Sequence, residues 1–449
     1  MAFKKLQLQS LFFFIISFYC ISVSAQQKLL LSDCIEMAIK NSSSIKNIEL
    51  EKDFNRWEVK QKYFNLAPDV NVGYSHKVRS FNQPLAENWS IDWGNSGSYS
   101  ISGSAVLFNW FNKWRDIRLS KIQVSQKEQE VFNKQFETYK SVVENFLNLI
   151  LAKETYDALN EQKLISDSLF QRVEMLYRAG KIIQTDVDEA NLQRIREENN
   201  IVKSGNSLRI TEITLERILN SKQSIDIDYG YYKVKRYDET ALIDYRILEE
   251  SAFKNSPYFK MLDEQKKINA LSYKQVKNLA MPNMSLNYSL SSGYSGTPFG
   301  NDIRFSRDLR NNYAGLVSLN ISVPVFNGLK RKKDIFNQKL QVEKFENNYN
   351  EEIIQFSATL KQIHNNTQVA VIQYQNADEE VKCAKRIFSS YYKLYTNGKT
   401  DIFSVLNYKQ KLIDVLLYRL KSKIELMANI ETLKLYEKGI GLFVGNKTE

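Results

Sequence analysis

Apolar and polar residues alternate along this chain with two different periods. Phe132, Phe136, Tyr139, Val143, Phe146 and Ile150 are spaced four and three apart in turn, the repeat of a helix packed along a coiled-coil seam. Ile353, Phe356, Leu360 and Ile363 follow the same rule. No proline interrupts Trp110 to Leu176 or Gly328 to Leu394, so each tract predicts one helix of roughly 100 Å at about 1.5 Å per residue. Elsewhere the period drops to 2. In "DVNVGYSHKVR" one face carries Val70, Val72, Tyr74, His76 and Val78, and the other Asn71, Gly73, Ser75, Lys77 and Arg79. The alternation returns in "SYSISGSAVL", "NMSLNYSLS" and "YAGLVSLNISVPV". Together these predict strands near 69–79, 98–108, 283–291 and 313–325. A helix precedes each strand pair, one from a cap near Ser32 to just before Pro68, the other ending before Pro282.

The chain is written twice. "EMAIKNSSS" (Glu36–Ser44) returns as "ESAFKNSPY" (Glu250–Tyr258), and "APDVNVGYS" (Ala67–Ser75) as "MPNMSLNYS" (Met281–Ser289), both shifted by 214. Further on, "LFNWFNKWRDI" (Leu107–Ile117) returns as "VFNGLKRKKDI" (Val325–Ile335), now shifted by 218. That shift holds to two glycine-marked breaks, "LYRAGKIIQTDV" (Leu176–Val187) and "LYTNGKTDIFSV" (Leu394–Val405). Four matches in the same order predict two structural repeats, 26–235 and 236–449, each a helix, a strand pair, a long helix, a corner and a helix.

The strands have close to the 9–11 residues with which tilted strands cross a bilayer. Their polar face is almost purely Ser, Asn and Gly, and Trp110, Phe111 and Trp114 cluster where the second strand ends. A soluble sandwich with one wet face is the competing reading; the uncharged polar face and the aromatic cluster favour a membrane barrel. Four strands leave open edges that lipid does not tolerate, so copies must close on one another. A dimer would give eight strands and a filled interior, a trimer twelve and room for a channel. Asn71, Ser75, Ser100, Ser102, Ser285, Asn287, Ser318 and Asn320 would then line the lumen. The joining loops, Ser80–Gly97 and Gly296–Asn312, hold Trp89, Trp93, Asp302, Arg304 and Arg307.

Composition narrows the class. Lys4 and Lys5, the apolar run Leu11–Val23 and Val-Ser-Ala at 23–25 predict a signal peptide over 1–25 and an exported protein. Phe18 and Tyr19 are too bulky for a lipoprotein site at Cys20. The chain holds 62 Lys+Arg against 51 Asp+Glu, a formal net charge of +11. Because the two signs are interleaved along the helices, this reads as a solvated face, not as a nucleic-acid site. Cys34 and Cys383 read as small buried apolar side chains, and His76 and His364 lie too far apart for a metal site. No catalytic or cofactor motif is present in the sequence, so an enzyme is not expected.

With these features the sequence resembles the TolC-type outer-membrane efflux protein family from about Leu30 to Gly439. The carriers are the two "A-x-K-N-S" helix starts, Pro68 and Pro282, "VPVFNG" (Val323–Gly328) and the corner glycines Gly180 and Gly398. The resemblance implies a mainly α fold with a trimeric 12-stranded transmembrane β-barrel, four strands per chain, continued by a long periplasmic α-helical barrel. A mixed belt would include Ser221–Glu239 and the C-terminal tail. It further implies a passive exit duct in the outer membrane with no cofactor. Its partners would be a homotrimer, outer membrane lipid, a periplasmic adaptor (membrane fusion) protein and an inner-membrane transporter, with no nucleic acid. The alternative is a soluble periplasmic coiled-coil scaffold. The corners would form the periplasmic entrance and adaptor contact, over Gly180, Lys181, Asp186, Glu189, Gly398, Lys399, Thr400, Ser404 and Asn407. Where the family has acids after its second corner, this chain has Ser404 and Asn407, and Thr400 replaces a basic residue. Asp186 and Glu189 hold the equivalent places after the first corner. They read equally well as carboxylates favoured at a helix start.

Overall fold

The structure, a computed structural model, describes residues 28–85, 88–221, 225–229, 244–279, 281–296 and 310–439, with backbone only for 81–95 and 295–296. The expected signal peptide, the C-terminal tail, most of the belt segment, and Asp302, Arg304 and Arg307 lie outside these residues, as do the side chains of Trp89 and Trp93. The first half runs α1 (Leu31–Asn41), α2 (Ser43–Phe64), β1 (Asp69–Leu85), β2 (Asn88–Phe108), α3 (Asn112–Arg178) and α4 (Gln184–Leu219). The second runs α5 (Tyr245–Asn255), α6 (Pro257–Asn278), β3 (Asn283–Gly296), β4 (Tyr313–Ser322), α7 (Lys330–Thr396) and α8 (Ile402–Lys438). Helices α3 and α7 have 67 residues each and start 218 positions apart (330 − 112).

Each helix expected to lead into a strand pair is broken in two. Pro257 enters α6 at its first turn, where its missing N–H costs nothing. The cap of α1 is Leu30, whose N–H donates to Asp33 Oδ2 at 3.0 Å, so Ser32 is already inside the helix. The breaks explain the repeated asparagine of the "A-x-K-N-S" starts. Asn41 Nδ2 donates to Leu219 O at 3.3 Å, and Asn255 Nδ2 donates to Glu437 O at 2.6 Å. Both acceptors are carbonyls in the last turn of a helix, where no intrahelical donor remains.

The chain divides into two compact units. One comprises residues up to Ser43, Gln135–Asn255 and Thr359 onward; the other, Ser44–Lys134 and Ser256–Ala358. Each draws on both repeats, so compactness does not follow the repeat boundary. In the first unit a core forms from Cys34, Ile35 and Ala38 of α1, Val142, Phe146 and Ile150 of α3, Leu215 and Leu219 of α4, and Met427 and Leu435 of α8. Leu29 bridges Ile227 in parallel at its edge. Burial pushes the Cys34 thiol up to about 12, as expected of a packed apolar side chain. Cys383 departs from that expectation: it is exposed on α7.

The second unit holds one antiparallel sheet in the order β1-β2-β3-β4. The β1–β2 ladder runs on to Leu85↔Asn88, so most of the expected loop 80–97 is strand. The register keeps the polar residues together: Asn71 faces Ser102, Ser102 faces Ser289, Ser285 faces Asn320 and Asn287 faces Ser318. On the other face two tyrosines lie over glycines. Tyr294 covers Gly97 and meets His76 Nδ1 at 2.8 Å; Tyr288 covers Gly103 and donates to Asp69 O at 3.0 Å. A methyl group added at Gly97 would sit 2.5 Å from the Tyr294 ring, whereas one at Gly315 meets only Leu290 at 3.9 Å. Gly97→Ala is therefore expected to lower the temperature at which the folded band is lost on semi-native gels. Gly315→Ala should leave it within a few degrees.

Candidate functional site

Two places could serve a conduit: the sheet and the two corners. The sheet's polar face carries all eight residues expected in a lumen, with Lys77 and Arg79 further along β1. Its other face exposes Val70, Val72, Ile101, Leu290, Val317, Leu319 and Ile321. Leu107 differs from its expected place there: a bulge between Val106 and Phe108 brings Phe108 opposite Met284 instead. Aromatic residues close this face at both ends. At one end are Tyr74, Tyr99 and Tyr313; at the other Phe108 packs on Trp110 and Phe111, ring centroids 5.5 and 5.7 Å apart. On β3, eight residues separate Met284 from Ser292, the partners of Phe108 and Tyr99, or about 27 Å along the strand. With strands tilted by about 40°, that spans roughly 21 Å of bilayer, and the aromatic girdles at its ends bring it near the apolar band of about 25 Å. Among the described residues no helix is long and apolar enough to cross a membrane.

Each corner is a Schellman turn. Gly180 has φ +67° and Gly398 φ +68°, backbone that a Cβ disfavours. Gly180 N donates to Tyr177 O at 2.8 Å and Lys181 N to Leu176 O at 3.0 Å. Gly398 N donates to Tyr395 O and Lys399 N to Leu394 O, both at 2.9 Å. The repeated Leu-Tyr thus supplies the carbonyls and Gly-Lys the amides. An apolar cluster brings the two corners together, through Leu169 and Val173 of α3, Ala190 of α4, Tyr395 of α7, and Ile402 and Val405 of α8. Lys181, Lys399 and Asn407 are exposed, while Asp186, Glu189, Thr400 and Ser404 are half-buried.

The corners differ in how the next helix is capped. Helix α4 starts after Ile183 with no side-chain cap, and Asp186 lies in its first turn. Helix α8 starts after Asp401, whose Oδ1 accepts from Ser404 N at 2.7 Å and Oδ2 from Ser404 Oγ at 3.1 Å. These donors hold the Asp401 carboxyl below its usual range. The second corner therefore has a carboxylate of its own, and Ser404 serves the cap. The signal was legible as Asp-x-x-Ser before an apolar run. Burial raises the Tyr395 phenol and the carboxylate of Asp186 adds to it; its hydroxyl is buried without a hydrogen-bond partner.

Deeper along the same helices lies an ion pair absent from the expectations. Lys409 on α8 is fully buried, and its Nζ lies 2.8 Å from both carboxylate oxygens of Glu197 on α4. Ser166 Oγ on α3 donates to Glu197 Oε2 at 2.6 Å and also accepts from Lys409 Nζ. Gln193 Nε2 completes the shell, donating to Glu197 Oε1 at 3.1 Å and Gln410 Oε1 at 3.0 Å. Burial pulls the Lys409 ammonium below its ordinary value, against the pull of Glu197. Its signal was a lysine on the apolar seam of α8, in register with Val405, Leu406, Leu412 and Ile413. Among the described residues no group of His, Cys, Asp and Glu could hold a metal ion.

The model of the family described as "Outer membrane efflux protein" matches residues 34–221 and 263–421. Among solved structures, the chain is similar to the Campylobacter jejuni CmeC outer membrane channel, at 16% identity over 91% of this chain and 86% of that one, TM-score 0.75. The outer membrane protein VceC of Vibrio cholerae is 13% identical over 91% and 97%, TM-score 0.73. The open state of the Neisseria gonorrhoeae MtrE outer membrane channel is 11% identical over 91% and 88%, TM-score 0.69. No curated protein sequence matches the chain.

Two outcomes follow. Replacing Asp401 by Ala should make the first-turn amides of α8 exchange about fivefold faster near pH 7, since losing such a cap costs about 1 kcal/mol. The folded carboxyl is the more acidic one, so the cap stabilises above the unfolded value. Its contribution fades as pH falls through the depressed folded value, and the two exchange rates should converge there. Lys409→Met should cost about 3–5 kcal/mol by stranding Glu197, and adding Glu197→Met should recover most of it. Thermal melts in detergent test that order.

Proposed function

Because this chain belongs to the outer membrane efflux protein family, we infer from its geometry how it works as that family's exit duct. The protein sits in the outer membrane, with a large helical part in the periplasm, and conducts cargo passively in a tripartite efflux system. The observation that carries the reading is the two-faced sheet, with mainly Ser, Asn and Gly on one side, joined by Lys77 and Arg79 further along β1, and exposed Val, Ile, Leu and Tyr on the other. In the reading proposed here, three copies pair β4 of one with β1 of the next and close twelve strands around Asn71, Ser75, Ser100, Ser102, Ser285, Asn287, Ser318 and Asn320. A soluble scaffold would leave the exposed apolar face without a role.

The two corners serve as entrance and docking tip. Their apolar packing and paired turns favour this, since three chains would set six similar turns in one ring. Exposed Ile183 and Phe403 beside Lys181 and Lys399 offer an adaptor both apolar and cationic contacts. Asp186 and Glu189 face the narrowing path in this reading, so Asp186→Asn with Glu189→Gln should lower cation preference and weaken block by multivalent cations. Planar-bilayer recordings test it; unchanged selectivity and block would remove both residues from the pore wall. Loss of all conductance in detergent-purified wild-type protein would instead count against the duct.

A further inference from the structure

The basic excess of this chain is not spread along its helices. All four passages between helix and strand lie at one end of the sheet, because antiparallel order β1-β2-β3-β4 puts the start of β1 and β3 beside the end of β2 and β4. The seven helical residues nearest the sheet in each of α2, α3, α6 and α7 hold Lys60, Lys62, Lys113, Arg115, Arg118, Lys274, Lys277, Lys330, Arg331, Lys332 and Lys333, against Glu58, Asp116 and Asp334. Eleven cations less three acids leave +8, of a formal net charge of +11 for the whole chain.

The helix dipole favours Lys62 and Lys277, in the last turns of α2 and α6, but not the seven cations that open α3 and α7. Neither α3 nor α7 has an acid in its first turn, although a helix N-terminus favours acids over cations. Among the described residues none of the eleven forms an ion pair. Three stitch backbone: Lys113 donates to Asn65 O, Arg115 to Trp110 O at 2.8 Å and Arg331 to Pro324 O at 2.7 Å. Arg118, Lys274, Lys330, Lys332 and Lys333 are left exposed.

The same level carries the lower aromatic girdle. Trp110, Phe111, Phe326 and Leu329 are exposed there, and Trp110, Phe111 and Leu329 hold left-handed backbone at φ 54°, 61° and 63°. Strain of this kind in bulky residues persists only where the surroundings impose it. Lys60 and Lys277 lie over the Trp57 and Tyr273 rings. An apolar band, then aromatics, then cations without carboxylate partners is the order in which a bilayer presents acyl chains, interface and phosphates. We propose that the eleven residues form a cationic collar that binds anionic phospholipid head groups of the periplasmic leaflet around the barrel. The collar rests on the barrel reading, and charge complementarity selects the lipid: a zwitterionic head group offers the collar no net charge.

The test uses the purified trimer in uncharged detergent, titrated with short-chain phosphatidylglycerol or phosphatidylcholine, with binding followed by thermal shift. Phosphatidylglycerol should bind at least about tenfold more tightly, and that advantage should shrink as salt rises from about 0.1 to 1 M and shortens the screening length to about 3 Å. Lys330→Ser, Lys332→Ser and Lys333→Ser together should remove most of the advantage. Lys181→Ser, Lys385→Ser and Lys399→Ser, which delete the same charge elsewhere, should leave it. Equal binding of both lipids by wild type, or equal losses in both variants, would overturn the collar. If the first variant does not form a folded trimer, the wild-type head-group and salt comparison decides alone. Single-channel conductance of the same preparations reports separately on the barrel.

Discussion

Inside a bilayer a backbone amide has no water to turn to, and most of this chain is arranged around that fact. Strands β1 and β4 each keep one edge unpaired within the chain, which hydrocarbon does not permit. The fold is therefore completed only by other copies of itself. An even number of strands also returns the chain to the side it came from, so both long helices start at one level. Tyrosines over Gly97 and Gly103 serve the same constraint from within: a ring covers backbone that glycine leaves bare.

Duplication solves the geometry economically, and it is visible in interactions as well as in sequence. The Asn41 and Asn255 amides cap equivalent returning helices. Trp110-Phe111 and Gly328-Leu329 turn the chain from strand to helix in left-handed pairs, and Asn109 and Asn327 each cap the helix that follows. The corners share one hydrogen-bond pattern down to the acceptor residues. What the repeats do not share is chemistry: α8 has a carboxylate cap where α4 has none, and Lys409 reaches across to Glu197 without a counterpart pair. Shape is repeated because a closed ring demands it; side chains facing into that shape are free to diverge.

The fold was largely legible because its signals are periodic. A period of 2 bounded by prolines, a period near 3.5 without them, and glycine at each corner are local signals that packing did not override. What escaped was set by three dimensions. Strand length failed because residues 80–97 are polar enough to read as loop, yet pair across the hairpin. At the second corner Ser404 and Asn407 occupy the places of the expected acids, while the carboxylate there is Asp401, three residues before Ser404, which only the cap geometry ties to the turn. Cys383 was assigned a core it does not have, since a 67-residue helix presents faces that one period cannot rank. The charge excess was averaged over sequence when topology gathers it at four helix ends.

Stability alone would not have produced the junction between sheet and helices. Three bulky residues in left-handed backbone cost roughly 1–2 kcal/mol each. Cations in the first turns of α3 and α7 oppose the helix dipole by about 0.3–1 kcal/mol apiece at low salt. Both costs fall at the same level, and both would vanish with glycine at 110, 111 and 329 and acids in the first turns of α3 and α7. The Lys409–Glu197 pair differs, because its costs are answered locally by Ser166 and Gln193. At the junction the protein supplies only some of the answering groups: three backbone carbonyls, the Asn112 side chain, and the Trp57 and Tyr273 rings under Lys60 and Lys277. The remaining cations project where the apolar band ends, on the level at which the proposed collar meets lipid head groups. Read that way, the junction marks where the protein's own interactions stop and those of its solvent, the bilayer, take over.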